Sequence, residues 1–135
     1  MSSFTLTRTG QAPLKFDGEI VAEASSHLST GQEANRWHEV RVYRIDPLKH
    51  VVEVIYRTCW QGEQDYHWVL EAAAPSSVEM RLREIGCEIA KPVKGYPAGG
   101  HYAEKQARML GDLQQRFEHL ISEVLSGDEF AETLE

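Results

Sequence analysis

An α+β fold is predicted, an antiparallel β-meander of four to five strands followed by a short helix and a long C-terminal helix packed on one sheet face. Three observations carry this. Residues 36–60 hold two runs that alternate with a period of two, residues 76–86 and 101–125 space their apolar residues as helices do, and short polar connections separate the extended runs. A chain of 135 residues is the size of one domain. We assign residues 1–126 to it and read 127–135 as a flexible acidic tail.

Each element has its own signal. Phe4 to Thr9 is the optional first strand. "KFDGEIVAEAS" sets Ile20, Ala22 and Ala24 against Glu19, Val21 and Glu23, with Gly18 placed for a bulge or bend. "SSHLSTGQEAN" reads as a polar loop. "RWHEVRVYRI" points His38, Val40 and Val42 one way and Trp37, Glu39, Arg41, Tyr43 and Ile45 the other. "DPLKH" has Asp-Pro turn chemistry. "VVEVIYRTCW" then puts Val52, Val54, Tyr56 and Trp60 on one face, opposite Val51, Glu53, Ile55, Arg57 and Cys59. "QGEQ" is a hairpin connection in which Gly62 supplies a positive φ, and "DYHWVLE" is the last strand, with Tyr66, Trp68 and Leu70 together.

The second half is helical. Ser76 and Glu79 have the spacing of a capping box, Gly86 is placed as a C-cap, and Val78, Leu82 and Ile85 form the stripe between them. "KPVKGYPAGG" is a loop. From His101 to about Leu125, Leu110, Leu113, Phe117, Leu120 and Val124 step by 3, 4, 3, 4, with Ile121 and Leu125 widening the face. That stripe suits packing on the chain's own sheet, and its spacing also suits a helix pair between two copies.

Composition narrows the function. Residues 1–60 hold seven basic and seven acidic residues, and residues 61–135 hold seven basic against fourteen acidic, so the whole formal charge of −7 lies in the second half. Phosphate backbones are bound by neutralising cations, so this balance argues against general nucleic-acid binding while leaving room for a local basic patch. No apolar run is long enough to span a bilayer, and the N-terminus lacks an export signal. Two cysteines are too few for a disulfide framework. A cytoplasmic protein without cofactor or metal is expected.

Chemistry-bearing residues are sparse. Cys59 with His67 would make a thiol–imidazole pair if they met across the hairpin. His38, His67 and a carboxylate would make a metal site if strand register joined them. The glycines of "KGYPAGGH" would offer amide donors to a small anion. The simpler reading makes Cys59 a half-buried thiol and Arg57, Glu63 and Asp65 solvated rim charges.

From Asn35 to about Tyr102, "NRWHEVRVYRI", a turn, "VVEVIYRTCWQGE", a strand and "SSVEMRLREI" resemble the WGR domain in their order. The family's Trp-Gly-Arg reads Trp60-Gln61-Gly62 here, so Trp60 alone carries over. The resemblance implies a small antiparallel sheet with a helix and an association with nucleic acid.

Weighing these, the sequence points to a non-enzymatic interaction or regulatory module with a protein partner, and to a homodimer through the long C-terminal helix. Trp37, Arg41, Tyr43, Arg57 and Trp60 are the expected binding residues, because Trp, Tyr and Arg are the usual interface anchors. The rivals are a WGR-like nucleic-acid module using Trp60, Arg57 and Arg41, and a small-ligand protein or enzyme with a pocket between sheet and helix.

Overall fold

A computed structural model describes residues 1–27, 35–94 and 102–131. Five strands, β1 (Ser2–Arg8), β2 (Gln11–Ser25), β3 (Arg36–Arg44), β4 (His50–Thr58) and β5 (Tyr66–Ala72), form one antiparallel sheet in chain order. Two helices follow, α1 (Ser76–Gly86) and α2 (Tyr102–Leu125), and then a 3-10 turn, Asp128–Phe130. No helix among the described residues is long and apolar enough to cross a membrane.

The sheet is curled, and β2 does the curling. Its residues up to Gly18 pair with β1, and from Glu19 onward they pair with β3. At Gly18 an added Cβ would stand 2.7 Å from the carbonyl oxygen of Arg44, so the bend needs a glycine. The β1–β2 hairpin thereby folds back over the far side of the sheet. Its turn reaches β5, where the Thr9 N–H donates to the carbonyl of His67 (3.1 Å) and the His67 N–H donates to Thr9 Oγ1 (2.9 Å).

A bulge at Val21 shifts the register between Ile20 and Ala22. Ile20 therefore pairs with Tyr43 and leaves the face of Ala22 and Ala24 that strict alternation gives it. The β3–β4 turn is held by Asp46, whose Oδ1 accepts from the N–H groups of Leu48 (3.0 Å) and Lys49 (2.8 Å). In the β4–β5 turn Gly62 has φ 84°.

Both helices lie on one face of the sheet. Val40, Val42, Val52, Val54, Tyr56 and Trp68 pack there against Val78, Leu82 and Ile85 of α1 and Leu113, Phe117, Leu120, Ile121 and Val124 of α2. The seam of α2 is thus spent on its own sheet, with Leu110 half-buried at its upper end. Full burial of each such side chain stabilises by about 1.5–3 kcal/mol. A second cluster fills the curl on the opposite face, where Tyr43, Val51 and Val69 meet Leu6 and the half-buried Phe4, Leu14 and Phe16.

The helix ends differ from the expectation. Pro75 stands at the N-cap of α1 with no side-chain capping bond, and Glu79 instead pairs with Arg83 (3.0 Å), so the Ser76–Glu79 box does not form. Gly86 is the last helical residue and keeps a negative φ, with Cys87 as the right-handed C-cap. The end of the helix packs against Phe117 there. Of the tail, Glu129 docks on the body through Arg44 (2.8 Å) and His50 (2.8 Å), and Phe130 packs against the main core. The anion-site glycines, most of the 25–35 loop and His101 lie outside the described residues.

Candidate functional site

The register of β3 on β4 decides which side chains meet. Trp37 pairs with Arg57, Glu39 with Ile55, Arg41 with Glu53 and Tyr43 with Val51. Trp37, Arg41, Tyr43 and Arg57 therefore share the sheet face away from the helices. The β1–β2 hairpin covers the Tyr43 end of that face. The Trp37 end is uncovered among the described residues, with Arg41 and Arg57 each about one-third exposed.

A continuous array of charges occupies the uncovered end. Arg41 faces Glu53 (3.5 Å), Glu23 (3.9 Å) and Glu39 (3.9 Å). Arg57 reaches Glu39 (3.4 Å) and Asp65 (3.1 Å). The Trp37 indole N–H donates to the other Glu39 oxygen at 3.2 Å, and its ring stacks on His27 with centroids 4.1 Å apart. Two guanidinium groups thus serve four carboxylates. A shallow groove of about 250 Å³ runs beside them between β2 and β3, lined by Glu23, Ser25, Glu39 and Arg41.

Tyr43 is placed differently from an exposed anchor. It is 2% exposed, with its ring edge-on to Phe4 and Phe16 and its hydroxyl donating to Glu53 at 2.7 Å. Burial first, then the Glu53 carboxylate, pushes the phenol pKa up and keeps it protonated. Tyr43 links the apolar curl to the charged array by holding Glu53.

Trp60 lies on the other side of the sheet. Its ring covers the Arg36 guanidinium at 4.8 Å. Arg36 makes a forked contact with Glu63, whose side chain is only 2% exposed, so Glu63 is a buried ion and not a rim charge. Glu63 also accepts from the Tyr56 hydroxyl and from the Lys94 N–H (3.1 Å). Burial raises the Glu63 pKa, but the hydrogen bonds from Arg36 and Tyr56 outweigh it and leave it at about 2. This clasp joins the start of β3, the β4–β5 turn and the segment after α1. Nothing in the sequence flags it, because Arg36 and Glu63 stand 27 positions apart.

The other candidates separate. His38 pairs through Tyr56 to Tyr66, whereas His67 pairs with Ile55 and through it with Glu39, so the two imidazoles project from opposite faces and share no metal. Among the described residues no group of three His, Cys, Asp or Glu side chains is arranged to hold a metal ion. Cys59 is exposed, not half-buried. Its register position is four residues beyond Ile55, the partner of His67, or about 13 Å at strand rise. Between sheet and helices, His38, Tyr56 and Phe117 are all fully buried and fill the space. A larger groove, about 650 Å³, lies instead between Pro75, Ser76 and Glu79 at the start of α1 and Leu125, Glu129 and Phe130.

His38 is the least expected of the buried groups. It is 0% exposed, and neither ring nitrogen has a hydrogen-bond partner among the described residues. Burial, then the nearby Arg116 cation, pushes its pKa down to about 3.

No protein-family model, curated protein or solved structure matches the chain.

Proposed function

We propose that this protein is a non-enzymatic interaction module that binds a protein partner through the uncovered end of its sheet. Trp37, Arg41 and Arg57 are the anchors, and Glu39 is their common partner. The observation that carries the reading is the β3–β4 register, which brings these side chains to the sheet face opposite α1 and α2. The more exposed of these ion pairs, Arg41–Glu23 and Arg57–Asp65, contribute about 0–1 kcal/mol each to stability, so holding the fold together is a poor reason for them. Tyr43 acts from below by fixing Glu53, and Trp60 belongs to the clasp on the opposite side.

The array favours a protein partner over a phosphate backbone. Its four carboxylates (Glu23, Glu39, Glu53 and Asp65) outnumber its two guanidinium groups, and an excess of anions repels phosphate. Self-association through α2 in the cytoplasm is the second part of the proposal. The first turn of α2 carries an exposed Tyr102, and Leu110 is half-buried ahead of the buried stripe that starts at Leu113.

The test is affinity capture from the native source with the wild type and with the Arg41→Ala/Arg57→Ala double variant. The expected result is a defined partner that the double variant loses while its melting temperature stays within a few degrees of wild type. Equal capture by both proteins overturns the assignment of the face. Light scattering checks self-association, with a dimer mass expected for the wild type.

A further inference from the structure

His38 occupies an odd place for an imidazole. It projects from β3 into the layer between sheet and α2, against Phe117 of α2 (ring centroids 5.3 Å apart), Tyr56 of β4 (5.4 Å) and Trp68 of β5 (6.5 Å). Its backbone is fully engaged, since its N–H donates to Ser26 Oγ (3.0 Å) and its carbonyl accepts from the Ser26 N–H (3.0 Å). Among the described residues its side chain has no hydrogen-bond partner, and the Trp68 indole N–H in the same layer has none either. A buried polar group in that condition costs free energy that a leucine or phenylalanine would not cost. Packing alone does not explain the choice of histidine.

Burial, then the Arg116 cation, disfavours the charged form of the ring while α2 is docked. From α2 the facing cation is Arg116, whose Nη1 donates to the Arg36 carbonyl (3.2 Å) and whose Nε donates to the exposed Asp112 (3.0 Å). From β4 the neighbour is the Tyr56 phenol, committed to Glu63. Glu63 in turn is committed to Arg36 of β3 and to the Lys94 N–H. β5 presents Trp68 and Tyr66, and Ser26 stands just past the end of β2. Among the described residues no carboxylate contacts the ring.

We propose that His38 is a proton-operated catch for α2, whose protonation releases the helix from the sheet and exposes the apolar sheet face beneath it. α2 is the element that yields, because Phe117 and Arg116 close the layer over His38 from that side, whereas β3 is held by two strand ladders. Release brings the ring into water, where its ordinary pKa near 6.5 applies, and removes the repulsion from Arg116. Below pH 6.5 the released state binds a proton that the docked state refuses, so each further pH unit favours release about tenfold until the docked ring itself titrates. At pH 5 release is favoured by about 25-fold relative to pH 7.

Hydrogen exchange of the full chain, segment by segment and corrected for intrinsic rates at pH 7 and pH 5, tests the proposal. The expected result is a fall of about 25-fold in protection over Leu113–Val124, with the β3 and β4 amides keeping theirs. His38→Leu and His38→Phe are both expected to abolish that fall. Unchanged α2 protection in the wild type overturns the proposal without recourse to any variant. So does simultaneous loss in α2, β3 and β4, or a fall of equal size in either folded variant.

Discussion

Replacing Glu63 by glutamine removes a carboxylate that serves three buried or part-buried donors: the Arg36 guanidinium, the Tyr56 hydroxyl and the Lys94 N–H. Glutamine keeps the shape but leaves Arg36, 8% exposed beneath Trp60, without its counter-charge. Breaking a buried pair from one side costs about 3–5 kcal/mol, and at 9% and 2% side-chain exposure solvent screening relieves little of it. Unfolding entropy of about 2.1 cal/mol/K per residue gives roughly 0.28 kcal/mol/K for this chain, so Tm is expected to fall by about 10–18 °C. Thermal unfolding followed by circular dichroism reads this directly. The double replacement Arg36→Met/Glu63→Leu, which removes both charges, is expected to be less damaging than Glu63→Gln alone. Acid supplies an independent check. Because the Glu63 pKa is depressed in the fold to about 2, its contribution is full above the unfolded value near 4.5 and is lost as pH falls from 4.5 toward 2. The glutamine variant is expected to lack that part of the acid dependence. A Glu63→Gln protein that melts within 3 °C of wild type, or strict additivity in the double variant, would refute the reasoning.

Two further predictions concern the curl. Gly18→Ala forces a Cβ to within 2.7 Å of a backbone oxygen, and a loss of about 1–3 kcal/mol is expected in denaturant unfolding; an unchanged midpoint counts against the bend as a close approach. Tyr43→Phe takes a hydrogen bond from the 4%-exposed Glu53 at little change in volume, and about 1.5–3 kcal/mol of lost stability is expected by the same assay.

Local periodicity made much of this molecule legible. The alternation in 36–45 and 51–60 assigns the correct residues to each face of β3 and β4, and the 3-4 stepping of α2 names the side chains that it buries. Single residues with fixed conformational roles, Gly62 and the Asp46 turn, were also readable. What alternation could not supply was the third dimension. Gly18 is readable as a bend, but that the hairpin before it folds back and buries Tyr43 depends on contacts with Val51 and Val69, far along the chain. The Val21 bulge reverses the parity of Ile20 by inserting one residue, which leaves no mark in the composition. Glu63 looks like a turn charge because its partners come from β3, β4 and the segment after α1. The Ser76–Glu79 box fails because Pro75 takes the cap position and Glu79 finds Arg83 instead. Within the candidate site, the shared face of Trp37, Arg41 and Arg57 was conditional on register. The pairing of Trp37 with Arg57 and of Arg41 with Glu53 supplies that condition.

Native mass spectrometry of the untagged protein from its source, run beside the Arg41→Ala/Arg57→Ala variant, tests the central claim most directly. Wild-type complexes containing a second protein are expected, which the double variant lacks although it remains folded. A wild-type protein that carries only a small molecule, or complexes that persist undiminished in the variant, would contradict it.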